Sequence, residues 1–469
     1  MRMQGIHGWS CFVAAAVLSA SSGCAVFQAR PLPAQVGAAA AGDVHVDVAS
    51  MPVQDLTHHV FDPRDGLDET ETAMLAVANN PDLKVLRDAL GIAHAQAFAA
   101  GLLPDPQLTA SRDFVTGSAA GATSPFGLGI SWDVGQLLTR SAQTRAAQWN
   151  TRQVDLNLLW AEWQTIAQAR VLFARVVNAR ATVARLQTEA TILAPLQKHI
   201  DHAVAAGNLS ADLAVTGLSA VSDAHQKLTA EQAALNDAEH ALLLLLGLQT
   251  QAPLQLVGEA TRVAPDAAQL HAALADLPRR RPDLLALQAG YESQNQKLRE
   301  AILKQFPAIS VGFNRARDNS AVYTSGVSIG LTLPLFNRNR GNIAIEKATR
   351  SNLYDTYAAR LLATGNEVDR LAVQLSLQQA AQPRIEAHAN RLDADLRRGE
   401  AAFNDYQLDL PTYLAMRSNA LAADLQRLQA RQTLAETGIA LQTLLGGNWS
   451  AAARATLSAH SSTAAGPSS

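Results

Sequence analysis

The feature that most constrains this chain is that its sequence contains one unit twice. The segment NNPDL (79–83) recurs as RRPDL (280–284), and its aspartate returns after 201 residues. The segment LLPDPQL (102–108) recurs as QFPAISV (305–311), and its proline returns after 203 residues. Internal repetition of this kind indicates a structural unit that is used more than once. We therefore expect the same order of helices and strands in both halves.

Each repeat opens with a predicted helix. Asn80 is a favourable N-cap, Pro81 suits the first helical position, and Asp82 lies at the positive end of the helix dipole. The second repeat keeps Pro282 and Asp283 at the same places. Both helices are expected to end near residues 102 and 305, because a proline follows each of these positions.

Two segments that alternate apolar and polar residues follow in each repeat. A period of two is typical of strands with one apolar and one polar face. The four segments cover 107–114, 126–134, 309–314 and 326–333.

Each repeat ends with a predicted helical hairpin. The outgoing helices span 137–206 and 342–398, and the first would be roughly 105 Å long. Each is expected to end at a glycine turn, Gly207 or Gly399. Shorter helices then return over 209–246 and 408–445, and the helix that opens a repeat is expected to stack on a return helix and make up its length.

Strands and helices of these lengths do not form one closed globule. A membrane barrel needs about eight or more strands, and in lipid every strand edge must be paired. Several copies of the chain would have to pool their strands, two copies giving eight and three giving twelve. The predicted fold is mainly α with a small β part. The alternative to a membrane barrel shared by several copies is a soluble scaffold of coiled-coil hairpins, capped by small sheets.

The N-terminus has the features of a secretory signal over residues 1–23, with Arg2, an apolar stretch and small residues after it. The sequence SSGC (21–24) resembles a bacterial lipoprotein processing site, at which Cys24 would become the lipid anchor. Ordinary cleavage nearby, which would leave Cys24 as a free thiol, is the alternative. Cys11 lies within the signal, so the mature chain can form no internal disulfide. A formal charge of −3 without a basic face argues against nucleic acid as a partner.

We therefore expect five regions along the chain. They are a signal peptide (1–23), a lipid-anchored extension (24–67), a first structural repeat (68–265), a second structural repeat (266–447) and a flexible tail (448–469).

Over residues 68–447 the chain resembles the TolC-like outer-membrane efflux proteins. The resemblance rests on the doubled PDL openings, the LP and FP exits into strands, the hairpin glycines and the segment GVSIGLTLPLFNRNRGNIAIEKA (326–348). The PLFNRNRG core of that segment is similar to the branch that serves heavy-metal efflux pumps of the resistance–nodulation–division type.

This resemblance implies a homotrimer whose chains each give four strands to a twelve-stranded transmembrane β-barrel, continued by a periplasmic α-helical tunnel. It implies an outer-membrane location, with outer-membrane lipid, a periplasmic adaptor and an inner-membrane resistance–nodulation–division pump as partners. The chain would be a passive conduit that exports heavy-metal cations, with no enzymatic activity and no cofactor. Alternatives are a channel for drugs or secreted proteins, or a periplasmic scaffold without a transport role.

The resemblance also implies roles for the hairpin tips. Gly207, Asp212 and Gly399 would dock the adaptor. Asp405 and Asp409 would line the gate at the periplasmic entrance. Ordinary solvated helix charges are the alternative interpretation of the three aspartates.

No metal site is predicted. His199 and His202 lie three residues apart on one helical face, and His58 and His59 are adjacent, but such histidines are expected to be ordinary surface residues. A conduit needs weak contacts, because a tight site would stall export. The sequence has no phosphate loop, CxxC pair or nucleophile motif.

Overall fold

The computed structural model describes residues 27–34, 37–116, 121, 123–208, 210–258 and 267–446. The chain divides into two units, Met1–Gly37 and Ala38–Ser469. The described residues of the first unit contain no helix or strand. The predicted anchor Cys24 and the predicted flexible tail lie outside the described residues and stay predictions.

The second unit has the same order of elements in both of its halves. Two 3-10 turns, Ala41–Asp43 and Val48–Ser50, and a helical turn, Gln54–Thr57, come first. The first half consists of α1 (Glu69–Asn79), α2 (Pro81–Gly101), β1 (Gln107–Arg112), β2 (Phe126–Asp133), α3 (Gly135–Ala205) and α4 (Ala211–Leu245). The second half consists of α5 (Ala267–Arg280), α6 (Pro282–Leu303), β3 (Ala308–Arg317), β4 (Tyr323–Thr332), α7 (Arg340–Asn404) and α8 (Leu410–Leu444). The prediction of a mainly helical chain with a small β part is confirmed.

The helices that open the halves begin in different ways. Asn80 caps α2 by accepting a hydrogen bond from the Leu83 N–H at 2.9 Å, and Pro81 follows it. Arg281 occupies the equivalent place before α6 and provides no side-chain cap. Its fully buried guanidinium instead donates to both carboxylate oxygens of Asp283, at 2.8 and 2.6 Å. A buried ion pair therefore replaces the polar cap in the second half.

The outgoing helices of the two hairpins are of similar length. Helix α3 has 71 residues and α7 has 65, which corresponds to roughly 105 and 100 Å. Pro195 and Pro383 lie inside them. Among the described residues, none of the helices is long and apolar enough to cross a membrane.

The prediction that the second long helix ends at Gly399 is wrong, because α7 continues to Asn404. Gly399 lies where α7 and α8 approach each other closely. A Cβ atom at this position would stand 2.7 Å from Met416 Cε and 2.8 Å from Met416 Sδ. The glycine therefore marks close packing between the arms of the hairpin, and the turn lies further along the chain.

The helical part has two equivalent cores. In the first half, α1 packs against α3 and α4 through the buried residues Met74, Leu75, Leu172, Val176 and Leu242. In the second half, α5 and the start of α6 pack against α7 and α8 through Leu277, Leu284, Val368, Leu371 and Leu441. Helix α6 also packs against α3, which places it between the two long helices.

The four strands form one antiparallel sheet in the order β1-β2-β3-β4. One row across the sheet joins Leu108, Ile130, Phe313 and Val327 as successive partners. Strand β2 therefore pairs with β3 at the centre, and the sheet joins the two halves of the chain.

Candidate functional site: the sheet face and the hairpin tips

One face of the sheet is apolar and exposed. In the row described above, Leu108 is 72 % exposed, Ile130 47 %, Phe313 50 % and Val327 73 %. Leu128, Val311, Ile329 and Leu331 are also exposed and continue the same alternation. A contiguous apolar surface of this kind marks contact with lipid or with another protein.

The opposite face of the sheet is small and polar. A Cβ at Gly129 would lie 2.8 Å from Thr109 Oγ1, and a Cβ at Gly312 would lie 2.7 Å from Ser328 Oγ. Glycines therefore alternate with hydroxyl residues of neighbouring strands on this face. The two faces differ strongly in polarity, as expected of a sheet that separates an apolar environment from an aqueous one.

The sheet has two open edges within the described chain. Strand β1 pairs only with β2, and strand β4 pairs only with β3. Unpaired edges present rows of free N–H and C=O groups, which pair readily with a strand of another chain. The described sheet therefore combines an exposed apolar face with two unpaired edges.

The first hairpin tip turns at a glycine, as predicted. Gly207 has a φ of +75°, and its N–H bonds to the carbonyl of Val204 at 2.9 Å, while the Asn208 N–H bonds to the carbonyl of Ala203 at 2.8 Å. This is the Schellman arrangement that commonly ends helices. Asp212 is exposed just beyond the turn, and a hydrogen bond with Ser210 holds the pKa of its carboxyl below the ordinary value.

The second tip has the same hydrogen-bond pattern without a glycine. Tyr406 takes the left-handed position with a φ of +59°, and its side chain is 97 % exposed. Its N–H bonds to the Phe403 carbonyl at 3.1 Å, and the Gln407 N–H bonds to the Ala402 carbonyl at 2.8 Å. Because Tyr406 is not a glycine, its residue type alone does not indicate this turn.

Asp405 and Asp409 have different local roles at the second tip. Asp405 is the exposed C-cap residue of α7. Asp409 is the N-cap of α8, and its carboxylate accepts a hydrogen bond from the Thr412 N–H at 2.8 Å. That backbone hydrogen bond holds the pKa of Asp409 below its usual value. Asp409 thus has a structural role in helix capping, and its predicted role in a gate stays a prediction.

The tips of the two hairpins are packed together. Leu414 of α8 is buried with Leu193 of α3 and Ala224 of α4. Phe403 and Tyr413 stack with ring centroids 4.3 Å apart and planes at 5°. The Leu414 cluster joins α8 to both arms of the first hairpin, and the aromatic stack joins α8 to α7 within the second hairpin.

A buried ion pair lies just behind these contacts. Arg417 donates to both carboxylate oxygens of Glu189, and it also donates to the Tyr413 hydroxyl at 3.0 Å. Burial lowers the pKa of Arg417, but the hydrogen bonds and charge of Glu189 more than offset this effect, so its pKa is raised. The partly exposed Arg185 lies beside this ion pair. It bonds to Asp424 at 2.8 Å and lies 3.4 Å from Glu189.

The described residues contain one cluster of side chains with the spacing of metal ligands: His59, Asp68 and Glu71. Asp68 and Glu71 already form the capping box of α1, and Glu71 also accepts from the Asp62 N–H at 2.7 Å. His59 pairs with the remaining Asp68 oxygen at 3.1 Å. Because the positive end of a helix disfavours a cation, this cluster is explained by capping.

Solved structures with the same fold are outer-membrane channels. The CmeC outer membrane channel of Campylobacter jejuni matches with a TM-score of 0.71 and 14 % identity, over 93 % of this chain and 98 % of that chain. The outer-membrane channel OprN matches with a TM-score of 0.69 and 17 % identity, over 91 % of this chain and all of that one. The channel protein CusC matches with a TM-score of 0.67 and 16 % identity over the same shares. This chain has an outer-membrane channel fold. No protein-family model matches it, and no curated protein does.

Four of the predicted site residues lie at the two hairpin tips. Gly207 and Asp212 lie at the first tip, Asp405 and Asp409 lie at the second, and Gly399 lies inside α7. The sheet lies at the opposite end of the long helices, because β2 leads into α3 and β4 leads towards α7. The described chain therefore has an apolar sheet at one end of its long helices and exposed carboxylates at the other.

Proposed function

We propose that the chain is the outer-membrane channel component of a tripartite efflux pump. It acts as a passive conduit and catalyses no reaction. The observation that carries this proposal is the exposed apolar sheet face at one end of helices roughly 100 Å long. A periplasmic scaffold without a transport role has no use for such a face in water, which makes it the weaker alternative.

The proposed assembly is a homotrimer. Four strands are too few to close a barrel, while three copies supply twelve. The open edges of β1 and β4 can pair between neighbouring copies, which removes every edge from lipid. The hairpins would then form a periplasmic α-helical tunnel beneath the barrel. Lipidation of Cys24 would add a second attachment to the outer membrane.

The hairpin tips are the proposed contact with a periplasmic adaptor and, through it, with an inner-membrane pump of the resistance–nodulation–division type. Gly207 and Asp212 would belong to this docking surface, and Gly399 would support it from within α7. Asp405 and Asp409 would line the entrance gate. Gly207, Asp212, Asp405 and Asp409 are exposed at the ends of the hairpins, which supports their assignments, whereas Gly399 is buried.

Heavy-metal cations are the proposed cargo, with drugs or secreted proteins as the alternative. The support is the sequence PLFNRNRG (334–341), which follows β4 and leads into α7. Weak, transient contacts suffice for a conduit, so no tight metal site is required in this chain.

The experiment that tests the channel is to extract the protein from outer membranes with detergent, measure its mass, and insert it into a planar lipid bilayer. A heat-resistant trimer that conducts ions is the expected result. A monomer that is released without detergent and does not conduct would refute the proposal. Metal tolerance of cells that carry the cognate pump, with and without this chain, tests the cargo separately.

A further inference from the structure

The apolar face of the sheet becomes cationic at the end that lies farthest from the helices. One row across that end joins Arg112, Phe126, Arg317 and Tyr323 as successive partners. Residues that stand directly opposite each other in a sheet point to the same face. Phe126 and Ile130 are four residues apart on β2, so this row lies on the same face as the apolar row that contains Ile130.

A third arginine lies in the adjacent row of the same face. Arg315 stands opposite Leu128 of β2 and precedes Arg317 by two residues on β3. Two residues of one strand are about 7 Å apart, and Arg112 lies two strands from Arg317, or about 10 Å. The three arginines therefore extend from neighbouring positions on one face, and we call them the arginine cluster.

Aromatic rings support the arginine cluster. The guanidinium carbons of Arg315 and Arg317 each lie 5.9 Å from the centroid of the Tyr323 ring. The guanidinium carbon of Arg112 lies 5.6 Å from the centroid of the Phe114 ring. Contacts of this kind hold a cation in place without neutralising its charge.

The arginine cluster has no counter-ion among the described residues. Arg317 Nε is buried there without a hydrogen-bond partner. Asp318 follows Arg317, but its carboxylate accepts hydrogen bonds from two backbone N–H groups of the β3–β4 turn, at 2.8 and 2.9 Å. Asp113 follows Arg112, and the alternation of the strand directs it to the opposite face. Three positive charges on one face therefore await an anion that this part of the chain does not supply.

The arginine cluster begins where the apolar band of the sheet ends. Phe306 is exposed just beyond α6, and Arg315 follows it by nine residues. Nine extended residues span about 30 Å, or about 23 Å along the axis of a barrel whose strands tilt by about 40°. This agrees with the height of about 25 Å that is usual for the apolar band of an outer-membrane barrel. In the proposed channel, the cluster lies at the membrane boundary that faces away from the periplasmic helices.

We propose that the arginine cluster binds the phosphate groups of a phosphorylated glycolipid in the outer leaflet of the outer membrane. This inference rests on the proposed channel function, which sets the direction of the sheet in the membrane. Guanidinium groups match phosphate in charge and geometry, because they donate paired hydrogen bonds to its oxygens.

The neighbouring apolar rows identify the ligand as a lipid. The row that contains Ile130 and Phe313 lies next to the arginine cluster on the same face. One amphiphile can therefore place its phosphates on the arginines and its acyl chains on the apolar rows. The half-exposed Tyr323 would lie at the level of the headgroup, where aromatic side chains are common in outer-membrane barrels.

Binding of lipopolysaccharide to the detergent-solubilised, full-length oligomer tests this proposal. The probe is lipopolysaccharide without its O-chain, added in the presence of a chelator of divalent cations, and bound lipid is counted by native mass spectrometry. Arg315→Gln is expected to weaken binding by about tenfold, because it removes a charge-assisted contact. Arg112→Gln/Arg315→Gln/Arg317→Gln should abolish detectable binding, and the corresponding triple lysine variant should bind with intermediate affinity.

Arg338→Gln is the matched control for Arg315→Gln. Arg338 is an exposed arginine in the turn between β4 and α7, at the other end of the sheet. Its removal is expected to leave lipopolysaccharide binding unchanged. An equal loss in both single variants would overturn the assignment to the arginine cluster.

Two further lipid probes define the ligand. Enzymatically dephosphorylated lipopolysaccharide should bind as weakly to the native protein as the intact lipid binds to the triple glutamine variant. Phosphatidylglycerol has one phosphate and no sugar phosphates, and it should bind more weakly than lipopolysaccharide. Equal binding of phosphatidylglycerol would mean that the cluster accepts any anionic lipid, and would overturn the proposed glycolipid specificity.

Assembly of the variants separates this inference from the proposed function. Native and triple glutamine proteins that both form conducting, heat-resistant trimers but bind lipopolysaccharide equally would refute the inference and leave the channel standing. If the triple variant does not assemble, Arg112→Gln/Arg315→Gln gives the same comparison, since both side chains are exposed. A native protein that is released without detergent and does not conduct would instead refute the channel itself.

Discussion

Arg417 of α8 donates two hydrogen bonds to the carboxylate of Glu189 in α3, at 3.0 and 2.8 Å, and the two side chains are only 4 % and 2 % exposed. The pair joins the two hairpins of one chain behind their tips. A buried ion pair is costly to break from one side, because the remaining charge loses its partner without regaining water.

The first prediction concerns this pair. Glu189→Ala should lower the free energy of unfolding by about 3–5 kcal/mol, because it leaves the Arg417 guanidinium buried without its partner. The double variant Glu189→Leu/Arg417→Met should recover most of this loss, because both charges are removed together. Chemical unfolding of the detergent-solubilised protein measures both effects. The exposed pair Glu367–Arg370 is the control, and its removal should change little.

The second prediction concerns the close approach at Gly399. Gly399→Val should destabilise the protein by about 1 kcal/mol, because the flexible end of the Met416 side chain must move to admit the added carbons. Met416→Ala in the same chain should relieve part of this loss. Gly365→Ala is the control, since nothing lies within 4 Å of the Cβ it adds, and a helix gains about 0.5–1 kcal/mol from this change. Equal effects at both glycines would refute the packing role of Gly399.

Much of this fold could be predicted from sequence because the signals for its helix starts and strands are local. The Asn80-Pro81 start of α2 and the alternation in β1 to β4 depend on nearby residues only, and both appear in the structure. The turn at Tyr406 could not be predicted from residue type, because residues other than glycine rarely adopt a positive φ and tyrosine gives no signal for one. Tyr406 follows Gly207 by 199 residues, which is also the spacing between Ile130 of β2 and Ile329 of β4, so the repeat does locate this turn.

The buried pair Glu189–Arg417 shows a second reason why part of the fold could not be predicted from sequence. Glu189 and Arg417 are 228 residues apart, and each lies in a helix with many other charged residues. Helical periodicity places a charge on a face, but it does not state which other helix covers that face. The contact depends on how the two hairpins pack. For the same reason, the sequence identified exposed tip carboxylates but missed the buried network behind them.

The third prediction compares the two turns. Tyr406→Gly should stabilise the protein by about 0.5–1 kcal/mol, because the left-handed conformation is unfavourable for a side chain. Gly207→Val should destabilise it by about 1–2 kcal/mol for the converse reason. Thermal unfolding of both variants checks this. A loss of stability in Tyr406→Gly would show that the exposed ring makes stabilising contacts, contrary to the structure.

The fourth prediction concerns pH. Burial raises the pKa of Asp283, but Arg281 and Arg360 more than offset this, so the folded pKa lies below the ordinary value of 3.8. A depressed carboxyl pKa stabilises the fold above the unfolded pKa and loses this contribution as pH falls through the folded value. Stability should therefore decline below about pH 4. Asp283→Asn should be less stable at neutral pH and show a shallower decline, measured as unfolding midpoints from pH 7 to pH 3. An unchanged slope would contradict the assignment.

The fifth prediction tests the apolar sheet face with two adjacent residues of β3. Phe313 belongs to the exposed apolar row, and Asn314 points to the opposite, polar face. If lipid covers the apolar face, Phe313→Lys should oppose membrane assembly by about 2–4 kcal/mol near the bilayer centre, whereas Asn314→Lys should be tolerated because it faces water. The measurement is the fraction of protein recovered from outer membranes as a heat-resistant oligomer, together with its conductance. Equal recovery of the two variants would mean that the apolar row is not in lipid, and would favour a protein partner for this face.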